Sequence, residues 1–312
     1  MISDRIIGSY EGEERGPLLI CFGSMHGNEP AGKHALDLMF KMLEVEPITN
    51  SDFCYRGKFV GMIGNLQAFS QKKRYLDKDL NRQFNIDNVT HLLQCNEMEL
   101  QNEDRELVQI IRAVRKEIEA YKPEKLYVLD LHTTSSVDGI FCITTEDKES
   151  IDIAVGLHAP VIKGFLEGIQ GTTMHYFTTE NMGVETVAIT FESGQHDEPL
   201  SVNRAIAAIT NCMRTMGSVR IEDVENRHDQ LLIEFCKSLP KVAELIERHD
   251  ITPEDKFVMR PDFHNFQRLK AGQVIADDKD GPIAVDKDCL LLMPLYQKQG
   301  AEGFFLIKEV SQ

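Results

Sequence analysis

Apolar residues recur along this chain in two rhythms. Short, nearly unbroken runs occur at Pro17–Gly23, Lys58–Ile63, Lys125–Leu131, Gly139–Thr144 and Val187–Phe191. Each is strand-sized and bounded by turn residues or charge, which predicts strands buried on both faces. Between them the period lengthens. Pro30–Glu46 carries Ala35, Leu36, Leu38, Met39, Met42 and Leu43 at helical spacing, and the charged stretch from Glu97 to Ala120 sets Leu107, Ile110, Ile111, Val114 and Ile118 on one side. Buried strands alternating with helices predict an α/β domain with a mixed, largely parallel sheet and helices on both faces. From Leu200 to Arg248 the pattern is helical, with interruptions near Gly217 and Pro240. After Pro253 the segments shorten again. Phe257–Arg260, Gln273–Ala276, Leu290–Met293 and Phe304–Lys308 are β-like, with Asp277, Asp278, Asp280, Gly281, Pro282, Gly300 and Gly303 as turn residues between them. The expected organisation is a catalytic α/β domain over residues 1–249 and a small all-β domain over 250–312.

Composition narrows the functional classes. A chain of 312 residues with 42% hydrophobic and 27% charged side chains is ordinary for a globular protein with a sizeable core. Fifty acidic against 34 basic side chains give a net charge of -16. Such a surface repels phosphate backbones, so no nucleic-acid partner is expected. Cysteines at 21, 54, 95, 142, 212, 236 and 289 are odd in number and scattered singly, which suggests neither a disulfide framework nor a cysteine metal site. No basic-then-apolar leader and no apolar stretch of membrane-spanning length is present, so a cytoplasmic protein with no membrane partner is expected.

The chemistry gathers at strand ends, where open α/β sheets bind their ligands. Gly23-Ser-Met-His26-Gly-Asn-Glu29-Pro30 lies where a strand runs into a helix, and His26 and Glu29 are close enough on one turn to reach one ion. Alone, that pair is a weak signal. Asp130-Leu-His132 ends another strand and offers a third ligand. Two histidines and a glutamate with one open position make the ligand set of catalytic zinc. Asp130 reads either as an ordinary strand-end acid or as a carboxylate that orients His132. The polar run Arg74-Tyr-Leu-Asp-Lys-Asp79-Leu-Asn81-Arg82-Gln-Phe84 reads either as a solvated loop or as a carboxylate reader. In the second reading Asn81 supplies an amide and Arg82 a guanidinium fork; in the first, Arg82 pairs with Asp77 or Asp79. Val187-Ala-Ile-Thr-Phe-Glu192-Ser-Gly194 sets a lone carboxylate at the end of an apolar strand, where metal-assisted hydrolysis needs a proton acceptor.

Taken together, HGNEP, RYLDKDLNRQF, DLHTT and TFESG resemble, in order and spacing, the succinylglutamate desuccinylase/aspartoacylase family of the zinc carboxypeptidase superfamily. The resemblance runs over about residues 16–196. It implies a zinc carboxypeptidase-like fold with a C-terminal β domain beside the site entrance, and one zinc ion per chain on His26, Glu29 and His132. It also implies Glu192 as general base toward zinc-bound water, Arg74 polarising the scissile carbonyl, Asn81 and Arg82 binding a substrate carboxylate, and Asp130 supporting a ligand histidine. Tyr296 falls loosely where a substrate-contacting tyrosine occurs in the family. The arginine that aspartoacylases carry shortly before the catalytic strand has no counterpart, since no arginine or lysine lies between Thr172 and Thr190. The expected activity is hydrolysis of the amide bond of a small N-acyl amino acid, with the acyl group and amino acid open. The rivals are a zinc carboxypeptidase acting on peptides and a non-catalytic metal-binding protein of the same fold. The oligomeric state stays open, with a homodimer as the candidate assembly.

Overall fold

Strands form where the apolar runs predict them. The computed structural model describes residues 5–224 and 229–310. Its strands are β1 (Ile6–Glu11), β2 (Glu14–Gly23), β3 (Arg56–Ile63), β4 (Lys125–Thr134), β5 (Ile140–Thr144), β6 (Val161–Lys163), β7 (Glu185–Gln195) and β8 (Val242–Asp250). Toward the C-terminus follow β9 (Val258–Met259), β10 (Arg268–Leu269), β11 (Val274–Asp278), β12 (Gly281–Ala284), β13 (Cys289–Leu292) and β14 (Glu302–Glu309). The three long helices are α1 (Ala31–Thr49), α2 (Asn102–Tyr121) and α3 (Leu200–Thr215).

Among the described residues, eleven strands make one sheet in the order β1-β3-β2-β4-β7-β5-β6-β8-β14-β13-β10, and β12-β11-β9 make a second, antiparallel sheet. The centre, β3-β2-β4-β7, is parallel. β5 runs antiparallel to β7, and β14 antiparallel to β8. The mixed, largely parallel sheet of the sequence reading is therefore present.

Strand alternation divides the core into two layers. On one face Leu18, Ile20 and Phe22 of β2 and Leu126 and Val128 of β4 pack with Leu107, Ile110, Ile111 and Val114 of α2. On the other, Leu19, Cys21, Leu129, Leu131 and Ile189 pack with Leu36 and Met39 of α1 and with Ile206 and Ile209 of α3. Both faces are covered, so consecutive strand positions are apolar and most are wholly buried. A side chain such as Phe22, taken fully from water, contributes about 1.5–3 kcal/mol. The even-numbered face of β4 and β7, shared with α2, carries Asp130, His132, Thr190 and Glu192 at its C-terminal end.

Two readings need correction. The helical pattern expected up to Arg248 ends earlier, because Val242–Asp250 is β8. Its apolar positions (Val242, Ala243, Leu245, Ile246) fit a helix equally well, but β6 on one side and β14 on the other supply strand partners. α1 does not stop at Glu46; it continues to Thr49 with Pro47 in its last turn, where the missing N–H costs only one helical bond. The C-terminal segment is β-rich as expected, but β14, β13 and β10 extend the main sheet while β9, β11 and β12 form the small one. Among the described residues, no helix is long and apolar enough to cross a membrane.

Candidate active site at the strand ends

His26 and Glu29 sit in the turn from β2 into α1, and His132 inside β4, which runs on to Thr134. The turn is tight. A Cβ on Gly27 would lie 2.2 Å from the Ala68 carbonyl carbon and 2.5 Å from the Lys73 oxygen, so only glycine lets the two loops touch. The Gly27 N–H donates to the Arg74 carbonyl at 3.1 Å, which ties the ligand turn to the loop carrying Arg74.

The three side chains converge. All are buried, and one ligand atom from each lies within 4.8 Å of the others. His26 Nδ1 is 2.7 Å from Glu29 Oε1, and His132 Nδ1 is 3.0 Å from Glu29 Oε2. The far nitrogen of each ring meets an aspartate: His26 Nε2 lies 3.1 Å from Asp79 Oδ1, and His132 Nε2 3.1 Å from Asp130 Oδ2. Each imidazole thus turns Nδ1 to the centre and is held from behind by a carboxylate, the arrangement that fixes the tautomer of a metal ligand. Thr173 Oγ1 donates to the same Asp130 oxygen at 2.7 Å. Charge follows geometry. Burial pushes Glu29 up, but His26 and His132 outweigh it and hold it well below the carboxylate range. Burial lowers His132, and Asp130 and Glu29 reverse that, lifting it well above the usual value.

Glu192 stands beside His132 in the parallel register of β4 and β7. Its side chain is buried and its Oε2 has no hydrogen-bond partner. Burial pushes it up to about 8, against the pull of His132 and Arg74 and with Glu29 and Asp130 adding to the rise. A two-imidazole, one-carboxylate set of buried donors, with a buried partnerless carboxylate oxygen beside it, fits a catalytic zinc ion.

The loop after Lys73 completes the site. Arg74 donates from Nη2 to Asp79 Oδ2 at 3.0 Å and from Nη1 to Glu29 Oε1 at 3.4 Å. Burial would lower the Asp79 carboxyl's ionisation, yet Arg74 and His26 hold its pKa well below the usual range. Asn81 Oδ1 accepts from the Thr173 N–H at 3.0 Å, which leaves its amide nitrogen 3.4 Å from His132 Nε2. Arg82 pairs with neither Asp77 nor Asp79. Its Nη2 donates to Glu302 Oε1 of β14 at 2.9 Å and its Nε to the same oxygen at 3.2 Å. His26, Arg74, Asn81, Arg82, His132 and Glu192 line one narrow cavity, together with Glu302. Tyr296 does not line it; its hydroxyl donates to the Arg260 carbonyl at 2.8 Å.

Residues 15–216 match the profile of the succinylglutamate desuccinylase/aspartoacylase catalytic domain. The chain belongs to this family. It is a family of deacylases, and every residue singled out from the sequence motifs lies within the matched span, whereas Glu302 lies beyond it. No curated protein matches the sequence significantly. Solved structures share the fold of this desuccinylase/aspartoacylase member. A succinylglutamate desuccinylase from Vibrio parahaemolyticus is 16% identical, with a TM-score of 0.60 over 96% of this chain and 83% of that one. An ectoine utilization protein from Ruegeria pomeroyi, solved with product bound, is 14% identical with a TM-score of 0.64 over 96% and 87%. Murine aminoacylase 3 is 15% identical with a TM-score of 0.58 over 96% and 97%.

The motif reading missed three side chains of this desuccinylase/aspartoacylase site. Asp79 lies inside the quoted loop, but its two partners become visible only in three dimensions. Glu302 comes from a distant strand that no motif covered. Glu103, at the start of α2, is wholly buried and accepts from the N–H groups of Leu76 at 2.7 Å, Asp77 at 2.9 Å and Lys78 at 3.3 Å, and from Asn65 Nδ2 at 3.0 Å. The acidic composition of α2 hides it among solvated acids.

Proposed function

We propose that the protein hydrolyses the amide bond of N-acyl amino acids, using one zinc ion per chain held by His26, Glu29 and His132. The observation that carries this reading is the partnerless, buried carboxylate oxygen of Glu192, Oε2, beside three converging side chains. Holding metal alone does not require that carboxylate; a proton transfer does. Zinc bound there would polarise the scissile carbonyl and acidify water to a pKa of about 7.

The remaining work falls to the chain. Glu192 Oε2 takes the proton of the attacking water and returns it to the leaving amine. Its place beside His132 in the register of β4 and β7 sets one carboxylate within the site for both transfers. Arg74, fixed by Asp79 and Glu29, donates to the oxygen on which negative charge develops, a contribution of about 3–4 kcal/mol for one good donor. Asp130 and Asp79 orient His132 and His26. Asn81 and Arg82 hold the substrate carboxylate, which exchanges with Glu302 on the Arg82 fork. We assign the catalytic unit to residues 1–249 and a β unit to 250–312, the boundary falling at the end of β8. Met293, Glu302 and Phe305 of that unit close one side of the cavity.

The reading is tested by comparing zinc-loaded protein on an N-acyl amino acid, on its carboxyl amide and on a blocked dipeptide. The free acid should be cleaved fastest. Arg82→Lys should cut kcat/KM on the acid and lose less on the amide, because lysine cannot copy the two-pronged contact. Faster cleavage of the blocked dipeptide would make the protein a peptidase. Equal discrimination between acid and amide by wild type and Arg82→Lys would remove Arg82 as the anchor.

A further inference from the structure

The cavity has more apolar wall than an acidic substrate can use. Besides the groups assigned to catalysis, Glu302 and the hydroxyls of Thr172 and Thr190, it is lined by Ile143, Phe165, Leu166, Ile169, Met293 and Phe305. These belong to the core layer on the α2 face, and the rings of Phe165 and Phe305 pack at 4.7 Å between centroids. The wall begins next to the reaction centre. Ile143 of β5 stands opposite Thr190 of β7, and Thr190 shares its face with Glu192 two residues on.

Positive charge is scarce by comparison. Among the described residues, Arg74 and Arg82 are the lysine or arginine side chains of this lining. Arg74 is bound to Asp79 and Glu29, and the fork of Arg82 to Glu302. Exchange with Glu302 lets Arg82 receive one carboxylate. A second one would have to lie among Ile143, Phe165, Ile169 and Phe305, losing its hydration where the remaining lining offers no further cation and only the hydroxyls of Thr172 and Thr190. An apolar group in that place gains from burial instead.

Resting on the deacylase reading, we propose that the substrate carries a single carboxylate, read by Arg82, and an uncharged apolar group that packs on Ile143, Phe165, Ile169 and Phe305. Acyl amino acids with a second carboxylate, on either the acyl group or the amino-acid side chain, are poor substrates.

The test compares N-acetylleucine and N-butanoylglycine with N-acetylaspartate and N-succinylleucine, taking N-acetylglycine as the small reference. With zinc-loaded wild type, the better apolar monocarboxylate should exceed both dicarboxylates in kcat/KM by at least about tenfold. Ile143→Ala should shrink that substrate's advantage over N-acetylglycine by about tenfold, the scale of a few lost methylene contacts. Equal or faster turnover of either dicarboxylate overturns the proposal while leaving the deacylase reading intact, and so does an unchanged advantage in a folded Ile143→Ala. Binding supplies a readout that needs no turnover. Calorimetric titration of zinc-loaded Glu192→Gln should show tighter binding of N-acetylleucine than of N-acetylaspartate, and the reverse order overturns the selectivity whatever reaction the site performs. Cleavage of a blocked dipeptide with none of the acyl amino acids turned over overturns the deacylase reading itself.

Discussion

Glu192 concentrates the chemistry at the scale of single residues. Its Oε2 is buried without a partner, and burial pushes its pKa from an ordinary 4.5 to about 8. Between those values the folded, metal-free protein holds a proton that the unfolded chain has released. The associated stability is complete below about pH 4.5 and is lost as pH rises through 8, with a slope of up to about 1.4 kcal/mol per pH unit. Glu192→Gln mimics the protonated form, so thermal unfolding of the chelated proteins should show the variant gaining on wild type from pH 5 to pH 8. Parallel curves would contradict the raised pKa. The same variant should keep its zinc and lose about 10²–10⁴-fold in turnover, because the amide cannot accept the proton. Retention of more than about a tenth of the activity would remove the general-base role. The convergence of His26, Glu29 and His132 was legible in the sequence because two of them share one turn and the third lies near the C-terminal end of an apolar strand. Asp79 was not, because its partners His26 and Arg74 lie on a different loop and across a turn, and no spacing rule connects them.

Single elements explain where the reading of the chain held and where it slipped. β2, β4 and β7 were legible because both their faces are covered, so the sequence there is nearly all apolar. β8 was misread because the order of apolar residues in Val242–Asp250 suits either period, and pairing with β6 and β14 decides between them. The start of α2 hid a working part. Glu103 accepts four hydrogen bonds while wholly buried, and three come from the backbone just after Arg74. A carboxylate there holds the loop that carries Arg74, Asn81 and Arg82. Glu103→Gln keeps the shape but sets an amide N–H₂ among donors. Stability in urea should fall by about 1–3 kcal/mol. Among molecules still folded, kcat/KM should fall as well, since the loop loses its anchor. Unchanged stability and unchanged kinetics would show that the loop holds its place without Glu103.

At the scale of the whole molecule, the candidate site is where two stretches of chain meet. The family match covers residues 15–216, which hold His26, Glu29, His132, Glu192, Arg74 and Arg82. β14 brings Glu302 and Phe305 to the other side of the same cavity by pairing with β8 at the far side of the sheet. That meeting could not be read from motifs, since β strands after residue 250 gave a β-rich tail but no register to the main sheet. Charge acts at this scale as well. On the proposed reading, a net charge of -16 would repel an anionic substrate at long range and leave its capture to the few arginines inside the cavity. The central claim is that a zinc ion on His26, Glu29 and His132 makes this assembly a deacylase. The most direct measurement adds zinc stepwise to chelated protein while following release of the free amino acid from an N-acyl amino acid. Activity should rise from near zero to a plateau at one zinc per chain, and His26→Ala should reach no such plateau. Full activity in the chelated protein, or the same titration curve in His26→Ala, would contradict the account.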